Sequence, residues 1–381
     1  MDANPNDNGD GFGQAPGLYV HVPFCATKCP YCAFASCTRI ESAPAFRDAV
    51  LAEAARYRNR FSPFDTLYFG GGTPGFVDPA ILGDIVHKLR NILAFKPDCE
   101  ATIEVNPADV TADRAAAWHD MGFCRASLGA QAFDDDALRF LGRRHDASGV
   151  SEALLRLRHA GFVDIGIDLI YGLPGQTREA WRSTLRRALD AGPTHLSCYA
   201  LSVEPRTPLA RAVRRREAEL PGESAVAALF LDTSRFLAKA GFIHYEVSNY
   251  ALLDRYRSRH NVKYWRSVPT LGLGPSAHSF DGTRRWWNVR SLEAYLRRSQ
   301  ARISPVAASE RLTDEMRRLE TLAMGFRTRE GVSLDVLRDG PAAEAALSRL
   351  VADGRLKIQR NRAVPTTTGF LVADSLARTF A

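Results

Sequence analysis

The stretch "HVPFCATKCPYCAFAS", residues 21–36, carries three cysteines directly after a short apolar run. Cys25, Cys29 and Cys32 are four and then three positions apart. Thiolates are soft ligands that suit zinc and iron–sulfur clusters. An iron–sulfur cube usually takes four cysteines, so three of them leave one iron open for another ligand. The spacing therefore favours an iron–sulfur cluster with an open position.

Two other interpretations of the cysteines stay open at this point. A structural zinc site needs four protein ligands, and Cys37 or His21 could supply the fourth. Cys29 and Cys32 alone could form a redox pair. Seven cysteines in a chain that we expect to be cytoplasmic argue against a framework of disulfides.

Composition sets broad limits. The chain has 381 residues, of which 45% are hydrophobic, enough for one large core with a smaller appendage or for two domains. Its apolar runs are shorter than a bilayer span, and residues 1–16 are polar, so we predict a flexible tail and a cytoplasmic protein. The net charge of +7 is compatible with an anionic ligand, an acidic membrane surface or nucleic acid, but a solvated arginine-rich surface is the favoured explanation.

A strand-and-helix unit recurs between residues 17 and 200. Each of six β-rich runs precedes a segment with helical periodicity, which predicts parallel βα units. We therefore predict an α/β fold, a partial (β/α)6 barrel whose site lies at the carboxyl ends of its strands. The six runs are residues 18–22, 66–70, 101–105, 125–129, 164–172 and 195–201.

The rest of the chain divides into two further parts. Residues 201–306 contain a helix, a strand "HYEVSNYA" and aromatic, glycine-rich loops, and we treat residues 17–306 as one domain that includes this extension. Residues 307–381 predict a small α+β domain that resembles a winged helix, with a helix, a short strand, a turn and a second strand. Nucleic-acid binding is not favoured, because no recognition helix is evident.

Tyr19 followed by "HVPFC" and by the C-x3-C-x2-C spacing resembles the signature of radical S-adenosylmethionine (SAM) proteins. The resemblance implies that Cys25, Cys29 and Cys32 hold a [4Fe–4S] cluster whose fourth iron is chelated by SAM. It also implies a set of SAM contacts. Carboxylates suit ribose hydroxyls, arginine suits the methionine carboxylate, and glycine allows a close backbone approach. The implied contacts are Tyr19, Gly72, Thr73, Glu104, Gln131, Arg143 and Asp168.

Within this superfamily the chain resembles the coproporphyrinogen-dehydrogenase branch from about residue 17 to its end. The oxygen-independent dehydrogenases carry a fourth cysteine two places after the third, where this chain has Phe34. Haem chaperones of the HemW type lack it and carry H-N-x-x-Y-W, which matches "HNVKYW", His260 to Trp265. The resemblance implies that His260 is a haem ligand, because imidazole binds haem iron well. His278 is a weaker second candidate.

The resemblance favours a haem chaperone that uses the cluster and SAM and delivers haem to respiratory haem proteins. The alternative is an enzyme, an oxygen-independent coproporphyrinogen III dehydrogenase that decarboxylates propionate side chains. Expected partners are haem and the recipient haem proteins, with a homodimer and a peripheral membrane contact left open.

Overall fold

The structure is a computed structural model that describes residues 13–337 and 340–381. Most of the predicted flexible tail, residues 1–16, lies outside these ranges. Within them, one large sheet has twelve strands in the order β12-β11-β10-β9-β1-β2-β3-β4-β5-β6-β8-β7. These strands are β1 (Gly17–Val22), β2 (Phe64–Gly71), β3 (Phe95–Val105), β4 (Arg125–Gln131), β5 (Asp164–Tyr171), β6 (His195–Ala200), β7 (Ile243–Glu246), β8 (Asn249–Ala251), β9 (Thr270–Leu273), β10 (His278–Phe280), β11 (Arg284–Asn288) and β12 (Val306–Arg311).

The first six strands are mutually parallel, each joined to the next through helical segments. The sheet is open: β9 continues it beyond β1, and the antiparallel β8 and β7 end it beyond β6. The predicted partial barrel is therefore confirmed. The helices of this part are α1 (Ala43–Ala55), α2 (Pro79–Ile92), α3 (Ala112–Asp120), α4 (Asp135–Phe140), α5 (Ala147–His159), α6 (Arg178–Asp190), α7 (Pro208–Arg214), α8 (Glu223–Lys239), α9 (Arg259–Trp265) and α10 (Leu292–Gln300), with 3₁₀ turns at Ile40–Ser42, Pro74–Phe76, Pro107–Asp109 and Asp254–Tyr256.

Local sequence signals explain where these helices begin and end. Thr111 and Thr177 accept backbone hydrogen bonds at the starts of α3 and α6, which satisfies amide groups that lack a helical partner. Gly122, Gly161 and Gly192 follow α3, α5 and α6 with φ of 87°, 102° and 68°, a left-handed conformation that suits glycine. In the sequence these glycines follow segments with helical periodicity, a pattern that predicts helix stops, and the structure has helix ends there.

The core lies between the parallel strands and the helices that cover them. Leu18, Val20 and Val22 of β1 are buried and belong to one large apolar cluster with residues of α1, including Phe46. Successive strand residues face opposite sides, so Tyr19 and His21 face the inner side of the sheet. The inner face is therefore polar at β1, and chemistry can be placed there.

Several segments of residues 201–306 differ from the predicted elements. The region predicted as aromatic, glycine-rich loops contains three strands of the large sheet, β9, β10 and β11, because they pair with β1 and with one another. "HYEVSNYA" forms the hairpin of β7 and β8 rather than one strand, since the two short strands pair antiparallel. "HNVKYW" is helical, as α9, rather than a loop, because the Ser258 side chain accepts a hydrogen bond from the amide of Asn261 at its start.

The C-terminal part is α+β, as predicted. Its antiparallel sheet has the order β13-β15-β14 in the described residues, and a separate apolar cluster includes Leu322 and Phe326. Residues 306–311, however, form β12 of the large sheet, so the last strand of that sheet crosses the predicted limit at residue 307. The domain limits stay a prediction. The elements are β13 (Val332–Ser333), β14 (Leu356–Gln359), β15 (Arg362–Pro365), α11 (Asp314–Gly325), α12 (Leu334–Leu337), α13 (Pro341–Ala352), α14 (Thr367–Phe370) and α15 (Ala373–Thr379).

In residues 13–337 and 340–381, no helix combines the length and the apolar character that a membrane crossing requires.

Candidate functional site

A cavity of about 630 Å³ opens at the carboxyl ends of the parallel strands. We call it the main cavity. It collects side chains from loops and strands that are far apart in sequence, as the predicted barrel requires. Of the sequence-predicted site residues, those that line it are Cys25, Cys29, Cys32, Gly72, Thr73, Glu104, Gln131, Arg143 and Asp168.

The cysteine loop is closed at its base by backbone pairing. The amide of Cys25 donates to the carbonyl of Cys37 at 2.9 Å, and the amide of Cys37 donates to that of Pro23 at 2.7 Å. His21 adds a side-chain bond from Nε2 to the carbonyl of Ala35 at 2.8 Å. These bonds fix the loop above β1. Cys37 thus belongs to the base of the loop and is not among the residues that line the main cavity.

The thiols have polar neighbours within the cavity. Thr73 Oγ1 lies 3.7 Å from Cys25 Sγ, and Arg143 Nη1 lies 3.5 Å from Cys29 Sγ. Burial raises the pKa of Cys25 and of Cys32. A cationic or metallic partner would favour the thiolate forms. The Arg143 guanidinium, which donates to Cys29 Sγ, can act as such a cation.

The three thiols border a shared space and do not meet at one point. Within the described ranges, no three His, Cys, Asp or Glu side chains are grouped closely enough to bind a single metal ion. In an iron–sulfur cube, each cysteine binds a different iron, so its ligands lie around a larger volume. Three cysteines that line one cavity fit this wider donor set.

The glycine-rich turn after β2 has a packing reason of its own. The amides of Gly72 and Thr73 donate to the carbonyls of Val22 and Phe24 at 2.8 and 2.7 Å. A Cβ on Gly72 would lie 2.6 Å from the carbonyl oxygen of Phe24. Glycine is therefore required for the close approach of this turn to the cysteine loop, whatever else the turn binds.

Two half-buried carboxylates lie on the inner wall of the main cavity. Glu104 accepts hydrogen bonds from the Tyr68 hydroxyl at 2.8 Å and from the Gly71 amide at 3.0 Å. Burial raises the pKa of Glu104 to about 7, although these two hydrogen bonds oppose the shift. Asp168 accepts a bond from Ser127 Oγ at 3.1 Å, and burial raises its pKa too. Both can accept hydrogen bonds from a polar ligand.

Gln131 and Arg143 show how the fourth strand shapes the cavity. Gln131 ends β4 with φ of 72°, a left-handed conformation that is uncommon for a residue with a side chain and that recurs at functional sites. Arg143 Nη2 donates to the carbonyl of Gly129 at 2.6 Å, while its Nε is buried without a hydrogen-bond partner in the described chain. The arginine thus has a donor left for a ligand.

Sequence reasoning missed several cavity residues. Ser127 holds Asp168, and Tyr68 holds Glu104, from the strand positions that face the same side as these carboxylates. Period-two alternation along the predicted strands was a signal that could have placed them. The missed residues that line the cavity itself include Ser127, Asn106, Tyr199 and Glu204.

His260 lies apart from the main cavity, toward the amino ends of the strands. Its side chain is buried, with 1% exposed, and both ring nitrogens are engaged. Nδ1 is 2.8 Å from Thr66 Oγ1, and Nε2 is 3.0 Å from the Tyr264 hydroxyl. Burial and, to a smaller extent, the charge of Lys263 lower the pKa of His260 to about 3. It is therefore a neutral histidine within a hydrogen-bonded interior.

A smaller opening of about 370 Å³, which we call the side cleft, lies next to the main cavity. Tyr19 lines this cleft. Its ring centroid lies 6.0 Å from that of Tyr68, whose hydroxyl donates to Glu104, so Tyr19 is also near the wall of the main cavity. Ala33 and Phe34 of the cysteine loop line both openings. The cleft is lined by Tyr19, His21, Ala33, Phe34, Ala35, Tyr264, Ser276, His278 and Arg290.

Comparison with known proteins defines the class first. The model of the radical SAM superfamily matches residues 19–188, the part that contains the cysteine loop and the first five strands. The solved structure of coproporphyrinogen III oxidase (HemN) from Escherichia coli, a radical SAM enzyme, superposes with a TM-score of 0.82. That similarity covers 97% of this chain and 91% of the other at 24% identity, and it shows a shared fold. The chain is a radical SAM protein.

Curated relatives define the family within that class. The "Heme chaperone HemW" of Mycobacterium tuberculosis is 34% identical over 96% of this chain and 95% of its own length. The "Heme chaperone HemW" of Synechocystis is also 34% identical, over 83% of this chain and 78% of its own. This chain belongs to the HemW family.

Proposed function

We propose that this protein is a haem chaperone that binds haem, carries a [4Fe–4S] cluster with SAM, and delivers haem to respiratory haem proteins. The observation that carries the proposal is the similarity to a curated haem chaperone at 34% identity across 96% of the chain. The relationship extends beyond the radical SAM region at residues 19–188 and includes the segment with "HNVKYW". The chain's own residues support each part.

Cys25, Cys29 and Cys32 would hold the cluster. These three line one cavity and Cys37 does not line it, so a three-thiolate site is the donor set that fits. When bound, such a cluster offers its fourth iron to the amino and carboxylate groups of SAM. Arg143 beside Cys29 adds positive charge near the thiolates.

SAM would extend along the inner wall of the main cavity. Glu104 and Asp168 can accept hydrogen bonds from ribose hydroxyls, and Arg143 can donate to a carboxylate. Gln131 and Thr73 offer further polar contacts, and the Gly72 turn lets the backbone lie close to the ligand. Tyr19 would contribute from the side cleft, where its hydroxyl bonds to His21 Nδ1 at 3.1 Å.

The assignment of His260 as a haem ligand stays a prediction. Iron binding at Nε2 would require that the hydrogen bond to Tyr264 be released and that the buried ring be uncovered. In the present arrangement His260 instead fixes the position of Tyr264, whose side chain is 41% exposed in the side cleft. A homodimer and a peripheral membrane contact likewise stay predictions.

The alternative is the oxidative decarboxylation of coproporphyrinogen III. It is favoured by the shared fold with the Escherichia coli oxidase, at a TM-score of 0.82. Against it stands Phe34, at the place where the oxygen-independent dehydrogenases are expected to carry a fourth cysteine. An exposed phenyl ring there cannot supply a thiol, so we prefer the chaperone.

The test uses the full chain, reconstituted with iron and sulfide without oxygen. A titration with haemin should produce a saturable Soret band, and the loaded protein should transfer haem to a haem-free respiratory apoprotein. In parallel, coproporphyrinogen III is supplied with SAM and a reductant. Accumulation of decarboxylated product without haem transfer would overturn the chaperone and favour the enzyme.

A further inference from the structure

The side cleft contains one histidine that differs from its neighbours. His278, the first residue of β10, is exposed, and its ring nitrogens have no hydrogen-bond partner among the residues described. His21 and His260 are both buried, and each has both ring nitrogens engaged. An imidazole that faces a cleft with free nitrogens is the form that can bind iron.

The geometry points to the side cleft as the haem-binding site, with His278 as the iron ligand and Arg290 as the partner of a haem propionate. This inference rests on the proposed haem-chaperone function and names the site where the haem would be held. It assigns iron ligation to His278 in place of His260. His260 becomes a positioning residue that holds Tyr264 at the cleft wall.

The ring of His278 is held in place by a neighbouring aromatic ring. Its ring stacks on that of Trp287, with centroids 5.9 Å apart and planes inclined by 24°. The two residues face each other across the antiparallel pair of β10 and β11. A ring held by a strand and a neighbouring indole loses little freedom on binding, so iron ligation there costs less conformational entropy.

The walls of the cleft suit a flat aromatic macrocycle with acidic edges. Tyr19, Phe34 and Tyr264 supply aromatic surface, and Phe34 is 67% exposed, which is unusual for so large an apolar side chain. Arg290 uses one nitrogen to bond the carbonyl of Ala33 at 2.7 Å and keeps other N–H groups for a carboxylate.

The size and place of the cleft fit a haem that must be released. Its volume of about 370 Å³ is smaller than that of the main cavity, so a haem there would remain partly uncovered. Ala33 and Phe34 belong to both openings, so the haem would touch the loop that carries the thiols. Cluster loading and haem binding would then influence each other through this loop.

The experiment titrates the reconstituted full chain with haemin and follows the Soret band in the wild type, His278→Ala, His260→Gln and the control His87→Ala. His87 is an exposed histidine of α2 that faces neither opening. We expect His278→Ala to weaken haemin binding about tenfold or more and to shift the Soret band. His260→Gln, which keeps a polar group in the interior, should change affinity by about twofold at most while the band keeps its position.

Two further measurements separate ligation from packing. Added imidazole should restore the Soret position of His278→Ala, because it can occupy the vacated iron position. Iron-free protoporphyrin IX should bind His278→Ala and wild type alike, whereas Arg290→Gln should weaken both haemin and the iron-free porphyrin.

Three outcomes would count against the site. An unchanged spectrum and affinity for His278→Ala, with loss of the band in a folded His260→Gln, would overturn the assignment and leave the chaperone standing. Equal effects of His278→Ala and His87→Ala would overturn it as well. If the wild type shows no saturable haemin binding, the proposed function itself fails and the inference falls with it.

Discussion

The cysteine loop and helix α9 are both recognisable sequence motifs, yet the structure uses them in opposite ways. The loop projects its three thiols toward a cavity of about 630 Å³. Helix α9 instead buries His260 and Lys263 and pairs them with the amino ends of neighbouring strands. A motif therefore marks a constrained position, and only burial and partners decide whether its side chains meet a ligand or hold the wall in place.

The two regions also differ in whether their charged side chains have a partner of opposite charge. In α9, Lys263 Nζ lies 2.6 Å from Asp65 Oδ1, so that buried cation is neutralised within the protein. In the main cavity, the carboxyl group of Glu104 is held by the neutral donors Tyr68 and Gly71. A carboxylate without a paired cation is costly to bury, which is why its pKa rises and why it is suited to a ligand.

The largest expected difference between the two regions is the effect on iron incorporation when one thiol of the cysteine loop is removed. We expect Cys29→Ala to abolish most of the iron incorporation during anaerobic reconstitution, because a cluster with two protein thiolates is poorly held. Far-ultraviolet circular dichroism of the variant should remain that of the wild type. Cys124→Ala, at an exposed cysteine away from the cavity, is the control and should load fully. Full loading of Cys29→Ala would break the comparison.

For helix α9 we expect the opposite result: Asp65→Ala should lower the stability of the fold and leave cluster loading unchanged. The substitution removes the carboxylate that neutralises the buried Lys263 ammonium, which keeps backbone carbonyls such as that of Ala15, and should lower the free energy of unfolding by about 3–5 kcal/mol. Denaturant titration measures the loss, and the folded fraction should still load its cluster. The exposed pair of Lys88 and Asp84 gives the control, because Asp84→Ala should cost about 1 kcal/mol at most. Equal costs for the two variants would show that the α9 ion pair has no special role.

The ionisation of Glu104 should make SAM affinity in the main cavity depend on pH. Its pKa is raised to about 7, so the carboxyl group is mainly protonated at about pH 6 and mainly ionised at about pH 8. An ionised carboxylate accepts hydrogen bonds from hydroxyls more strongly, so SAM affinity should rise across this interval. Glu104→Gln should weaken SAM binding about tenfold at the higher pH and remove the dependence. Calorimetric titration at both pH values checks this, and a wild-type affinity that falls with pH would contradict it.

The smallest expected effect is the loss of stability when the hydrogen bond between Thr66 and the buried His260 is removed. Thr66→Val removes the hydroxyl that lies 2.8 Å from Nδ1 while it keeps the side-chain volume. One buried polar atom then lacks a partner, and we expect a loss of about 1–2 kcal/mol in the free energy of unfolding. Iron content and SAM affinity should stay at wild-type values. A change in SAM affinity without a change in stability would mean that the two regions are coupled.

Much of the fold was accessible from sequence because its signals are local. Apolar runs that alternate with amphipathic segments predicted the parallel strands, and Gly122 and Gly161 marked helix ends that the structure confirms. The hairpin of β7 and β8 was missed because a turn of two residues leaves little local pattern. Strand β12 was missed because its residues are mostly exposed and carry no apolar signal.

The sequence by itself determined the thiol spacing, the alternation of the first six strands with helical segments, and the residues that reach the carboxyl ends of those strands, since each depends on chain neighbours or on a repeating period. Only the tertiary structure decided that His260 is enclosed between Thr66 and Tyr264, that Tyr19 lines the side cleft, and that His278 lies exposed in the same cleft. Those facts depend on contacts between residues as much as 194 positions apart. Burial and hydrogen-bond partners arise from packing in three dimensions, which a linear pattern does not record.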